Sequence, residues 1–110
     1  MMRIPMSKAA SALFRAILAR GEVARDRILL SAYRSTDWQS LTLIGERHQL
    51  GFRIPAPEAE AVALRISEGI EDAEFAIPGH IVADIVLVAP LSQGDDGSVT
   101  FELEALTFAE

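Results

Sequence analysis

The chain has 110 residues, no cysteine and a formal charge of −6. The lack of cysteine excludes disulfides, thiolate zinc sites and cysteine nucleophiles, and suits a reducing, cytoplasmic setting. The acidic balance opposes a phosphate backbone, so nucleic acid is not an expected partner, and no apolar run reaches the roughly 20 residues of a membrane helix.

At 11.9 kDa the chain fits one α+β domain over residues 1–110 with one hydrophobic core. Hydrophobic residues make up 50% of it, and the mean hydropathy is +0.24. That is apolar for so small a domain, which exposes much surface for its volume. The simplest physical reading is that some apolar surface is buried against a partner, first of all a second copy.

The start of the chain holds Lys8, Arg15 and Arg20 with no early acid, superficially like a targeting peptide. Charge interrupts its apolar stretch, however, and no cleavage-type pattern follows. A folded amphipathic helix over about Ser7–Arg20 is the better reading. Met6, Ala9, Ala10, Leu13, Phe14, Ile17 and Leu18 make one apolar stripe at helical spacing. Ser7 is placed as N-cap, Gly21 as the left-handed stop, and Arg20 at the negative end of the helix dipole.

A strand is expected near Arg27–Ser35, followed by a turn at Ser35–Asp37. The segment Trp38–Gly45 alternates as a second strand, apolar in part on both faces. Gly45–Glu46 then reads as a tight hairpin turn or as a bulge in one long bent strand. Beyond it His48, Leu50, Phe52 and Ile54 face one way and Arg47, Gln49 and Arg53 the other, until Pro55 ends the strand. A second helix is expected to start at Pro57, with Glu58 and Glu60 at its positive end and Gly69 near its stop. Ala59, Val62, Ala63, Ile66 and Ile70 form its apolar stripe.

Pro78–Gly79 fits the centre of a type II turn. Ile81–Ala89 is β-branched and apolar on both faces, which reads as a central strand. Ser92–Ser98 is a loop with an Asp-Gly hairpin signal. In the last strand Val99, Phe101, Leu103 and Ala105 point inward and Thr100, Glu102 and Glu104 outward. Leu106 and Phe108 then fall on the outward face, an apolar patch without a place in a monomer. The expected fold is a two-layer α+β sandwich, a mainly antiparallel sheet of about four or five strands with both helices on one face. The elements recur as two αββ halves without residue-level repetition.

Signals for chemistry are sparse. His80 and Asp84 would be neighbours on a helix, but on a strand they stand about 13 Å apart. Asp84 therefore reads as a carboxylate on the open sheet face, paired with Arg47 or Arg53. His80 reads as a turn residue at the start of a strand. The cluster Gly45–His48 could bind an anion or serve acid–base chemistry, but it suits a charged hairpin tip better. His48 is alternatively a satisfied histidine at the core margin. A metal shared by His48 and His80 would need Glu46 or Asp84 as a third ligand, and neither a metal nor a cofactor is expected. No nucleophile-elbow, phosphate-loop or calcium-loop pattern occurs, and no catalytic residue is assigned. Tyr33 and Trp38 flank the Ser35–Asp37 turn, as aromatic anchors for a partner or as a cross-strand pair.

The leading functional expectation is a non-catalytic binding or assembly module. It would self-associate, as a homodimer, through the open sheet face or an edge strand, with Tyr33, Trp38, Leu106 and Phe108 at the interface. One alternative is a small enzyme or ligand-binding protein using Arg47, His48, His80 and Asp84 in a pocket between sheet and helices. Another is a subunit of a larger hetero-assembly, of the phage-component kind, whose apolar patch meets a different protein.

Overall fold

The computed structural model describes residues 6–110. The first five residues, which open the stretch weighed above as a targeting peptide, lie outside the described residues. The elements in chain order are α1 (Lys8–Gly21), β1 (Leu29–Gln39), β2 (Ile44–Ile54), α2 (Ala59–Ser67), β3 (Ala76–Ile77), β4 (His80–Leu87), β5 (Ser92–Gln93) and β6 (Val99–Ala109). Single 3-10 turns at Arg25–Arg27 and Ile70–Asp72 follow the two helices. The fold is α+β, with an antiparallel sheet ordered β1-β2-β6-β4-β3 and β5 paired to the start of β6. The sheet has 6 strands, slightly more than the sequence suggests, because β3 and β5 are two-residue pieces.

Helix α1 forms as its stripe predicts. The Ser7 hydroxyl accepts a hydrogen bond from the Ala10 N–H at 3.1 Å, and Ala9, Ala10, Leu13, Phe14, Ile17 and Leu18 are buried. Its stop differs from expectation: Gly21 is still helical, and Glu22 takes the left-handed conformation at φ 52°. Gly21 serves a close approach instead. A Cβ there would lie 2.5 Å from Ile66 Cγ1 of α2. Where the two helix ends meet, two arginines satisfy each other's terminal carbonyls. Arg20 Nε donates to the Ile66 carbonyl at 3.0 Å, its Nη2 donates to that of Glu68, and Arg65 Nε donates to that of Gly21 at 2.9 Å. These are orphan helix-end acceptors, and each guanidinium also sits at the negative end of a dipole. Helix α2 starts at Ala59 rather than Pro57, because Glu58 before it is left-handed at φ 63°.

Both helices pack on one face of the sheet. Phe14 meets Phe52 at 5.8 Å between ring centroids, and Phe52 stacks on Phe101 at 5.1 Å. Leu13, Ile17, Ile66, Leu50, Ile54, Val99 and Leu103 complete the centre of this core.

Three expectations for the strands are corrected. The Ser35–Asp37 segment is no turn: β1 runs through it, because Tyr33 to Gln39 pair residue by residue with Leu50 to Ile44. The turn lies at Ser40–Leu43, where the Ser40 hydroxyl accepts from the Thr42 and Leu43 N–H groups at 3.4 and 3.3 Å. Gly45 and Glu46 are accordingly neither turn nor bulge but the start of β2. The central strand is β6, not the Ile81–Ala89 segment, which is covered on its other side only where β3 pairs with His80 and Ile81. The Pro78–Gly79 turn joins β3 to β4 with Gly79 at φ 74°, the value a type II turn requires of its third residue.

Replacing Arg65 with Ala leaves the Gly21 carbonyl without its donor and should cost about 1 kcal/mol, a fall in Tm of roughly 5 °C. Replacing Arg20 with Ala removes two bonds and should cost more. A double-mutant cycle by denaturant titration should show coupling between them, since both close one helix junction.

Candidate functional site

Alternation divides the sheet into a core face under the helices and an open face. On the open face Trp38 stands opposite Gly45, and Gly45 opposite Phe108. A Cβ on Gly45 would lie 2.1 Å from the Thr107 carbonyl oxygen and 2.8 Å from Phe108 Cδ1. The missing side chain lets Trp38 and Phe108 meet above it, 5.2 Å between centroids. Ile81 is the next neighbour of Phe108 across the sheet and is 53% exposed. Leu106 sits one row in, beside Arg47 and Asp84. The turn leaving this end of the sheet carries Leu41, fully exposed, and exposed Leu43; exposed Ile44 opens β2 and alternation turns it to the other face. Trp38, Phe108, Ile81 and Leu106 thus gather at one end of a face that no helix covers among the described residues.

Of the four residues anticipated at an interface, Trp38, Leu106 and Phe108 share this face. Tyr33 does not: it pairs with Leu50 on the core face, where its hydroxyl is buried with no partner among the described residues. Tyr33 and Trp38 therefore do not pair with each other. The four residues considered for ligand binding are also divided. Arg47 and Asp84 lie on the open face, on either side of Leu106. Arg47 is bound to Glu104 at 3.1 Å, and Arg53 to Asp96 at 2.6 Å. Asp84 forms no ion pair among the described residues; it stands exposed beside a bulge in β4 between Val82 and Asp84. The expected arginine partner is absent because β4 is close to the sheet edge, where water solvates the carboxylate.

His48 and His80 belong to the core face. His80 pairs with buried Ile77 and its Nδ1 lies 3.1 Å from the Pro78 carbonyl oxygen. His48 is wholly buried, as its phase with Leu50 and Phe52 suggests. Its Nδ1 lies 2.8 Å from the Ser35 hydroxyl and its Nε2 2.8 Å from the Thr107 hydroxyl. The three side chains form a polar bridge across β1, β2 and β6. A neutral imidazole needs one donor and one acceptor, and two hydroxyls satisfy either tautomer. Burial holds the His48 pKa below the ordinary histidine value; Glu46 opposes this shift and His80 adds to it. A serine hydroxyl beside an imidazole has the form of a nucleophile and its base. Here the imidazole is sealed from water, and its second nitrogen meets a hydroxyl rather than an orienting carboxylate. Among the described residues no three histidines, aspartates or glutamates stand close enough to hold a metal. The register that links Ser35 and Thr107 to His48 leaves no mark in the sequence, where Ser35 reads as a turn residue.

Because folding holds His48 neutral, the unfolded chain binds its proton more readily. Stability should be complete above about pH 6.5 and decline as pH falls through that value toward the lower folded-state pKa. The variant His48→Gln lacks that titration, so its chemical-denaturation stability should vary less than wild type between about pH 7.5 and 5.5. His48→Leu strands both hydroxyls and should cost about 1–3 kcal/mol at pH 7.5.

No protein-family model matches the chain, and no curated protein matches it.

Proposed function

We propose that the chain is a non-catalytic assembly module that binds a second copy of itself through the apolar end of its open sheet face. The observation that carries this reading is the Trp38–Phe108 pair, extended by Ile81 and Leu106 on a face no helix covers. Aromatic side chains on a flat sheet supply large contact area at low entropic cost, and they anchor interfaces for that reason. The same face continues into Arg47 of one sign and Asp84 and Glu104 of the other. A two-fold contact sets a surface against itself, so mixed charge of this kind favours a copy over a uniformly charged partner. A stable pair requires roughly 800 Å² from each protomer, and the exposed Leu41 and Leu43 of the turn lie next to the aromatic cluster. The absence of cysteine suits a reducing compartment, and we place the module in the cytoplasm.

Sedimentation equilibrium at micromolar concentration should give twice the 11.9 kDa chain mass, with a Tm that rises with protein concentration. Phe108→Glu should shift the equilibrium to the monomer by at least about tenfold and leave Trp38 fluorescence red-shifted. An 11.9 kDa species at every concentration overturns the reading, and stoichiometric co-purification of a different protein replaces it with a hetero-assembly.

A further inference from the structure

At the other end of the open face, three irregularities meet. Strand β1 bulges between Leu30 and Ala32. Strand β2 carries Gly51 in its interior, between Ala32 and Glu102. After Val88, whose N–H donates to the Glu102 carbonyl, the chain leaves the side of β6, passes through Ala89 and Pro90, and rejoins it at Ser92. Between them lies an open hollow of about 490 Å³, floored by Gln49, Gly51, Thr100 and Glu102, with Ser31–Arg34 along one side and Ala89, Pro90 and Ser92 along the other. Glycine inside a strand costs about 0.5–1 kcal/mol relative to Ala. At Gly45 the close Thr107 backbone explains that cost. At Gly51 the nearest atoms to an added Cβ are Ser31 Oγ at 3.3 Å, a hydroxyl free to rotate, and Ala32 Cβ at 3.6 Å. Gly51 has no positive φ and no backbone atom crowds its Cβ position, so a side chain would need only the Ser31 hydroxyl to give way by a few tenths of an ångström. What the glycine keeps open is the hollow.

The charges around it are distinctive. Arg47, Arg53 and Glu104 on this face are paired, whereas Arg34 and Glu102 form no ion pair among the described residues. They stand diagonally across Gly51, on β1 and β6. A guanidinium binds a carboxylate through two parallel hydrogen bonds, and a carboxylate binds an ammonium group. We propose that the hollow over Gly51 binds a small zwitterion of the α-amino-acid class, its carboxylate on Arg34 and its ammonium group on Glu102. Gln49, Ser31 and Thr100 supply neutral hydrogen-bonding groups, and Ala32, Ala89 and Pro90 present apolar surface to the ligand's side chain. The volume lies within the usual range for small-molecule sites. Ala32 is separated from Trp38 by about 20 Å of strand, so the hollow stays open in the proposed self-association.

The common L-amino acids, each titrated singly into the full chain, provide the test, read by amide chemical shifts. At least one should give saturable shifts confined to Ser31–Arg34, Gln49–Gly51 and Thr100–Glu102. Its deaminated and decarboxylated analogues should bind about tenfold more weakly or worse, and Arg34→Gln and Glu102→Gln should each weaken binding to the same extent. Gly51→Val should abolish binding while holding or raising Tm, because a β-branched residue suits the strand and fills the hollow. If Gly51→Val folds poorly, the two exposed charge variants still decide the matter. Absence of saturable shifts with every amino acid overturns the proposal. So do shifts elsewhere on the sheet, or equal binding by the analogue lacking either charge.

Discussion

The unbroken register between β2 and β6 is the constraint on which the other features rest. From Gly45↔Phe108 to Ile54↔Val99 the two strands pair without a bulge. That pairing puts Leu50, Phe52 and Ile54 beside Leu103, Phe101 and Val99 under the helices, and it orients every outward residue as well. A slip of one residue would turn one strand's core-facing side chains out to the open face. The burial of Phe52 between Phe14 and Phe101 makes such a slip costly, since a fully buried aromatic contributes several kcal/mol. Irregularity is therefore displaced to the flanking strands, where β1 and β4 each carry a shift in register.

The two glycines of β2 illustrate how this rigid pair is made useful. Gly45 and Gly51 both fall on the open face of the sheet. One brings two aromatic rings into contact across a strand, an arrangement that covers the bare backbone and pins register. The other lies beneath a hollow between two departures from regular pairing. The first creates an apolar end and the second lies under a depression flanked by Arg34 and Glu102, on a single face and at a separation fixed by the strand itself.

Periodicity in the sequence was legible wherever a strong pattern met a single burial demand: α1, the second half of β2, and all of β6. The outward placement of Leu106 and Phe108 followed from the same alternation. It failed where local preference and tertiary pairing disagree. Ser35, Thr36 and Asp37 favour turns on their own, yet ten residues of partner strand hold them extended. The true turn is built around Ser40 among Leu41, Leu43 and Ile44, whose side chains imitate a strand. Ile81–Ala89 reads as doubly buried because its apolar residues are counted without knowing that Ile81 and Val88 remain in water. Burial of His48 was visible in its phase, but Ser35 and Thr107 become its partners only through register across three strands. The Trp38–Phe108 contact and the hollow over Gly51 are equally non-local, and no window of sequence contains them.

The two long margins of the sheet are treated differently. Beyond the short β3 cover, β4 is broken by its bulge, holds Asp84 in water, and ends where Pro90, which has no N–H to donate, diverts the chain. A bulge, a charge and a proline are the devices that keep a strand edge from pairing with another chain. The opposite margin, β1, presents an eleven-residue edge whose bulge lies at its far end, away from Trp38. The turn next to Trp38 leaves Leu41, Leu43 and Ile44 exposed without a charged residue between Asp37 and Glu46 to shield them. Along β1 the bulge and the charges of Arg34 and Asp37 stop short of the turn, so protection is thinnest at the Trp38 end. Exposed apolar side chains beside an unpaired strand edge promote indiscriminate aggregation unless something covers them, and that physical demand is what the proposed self-association would meet.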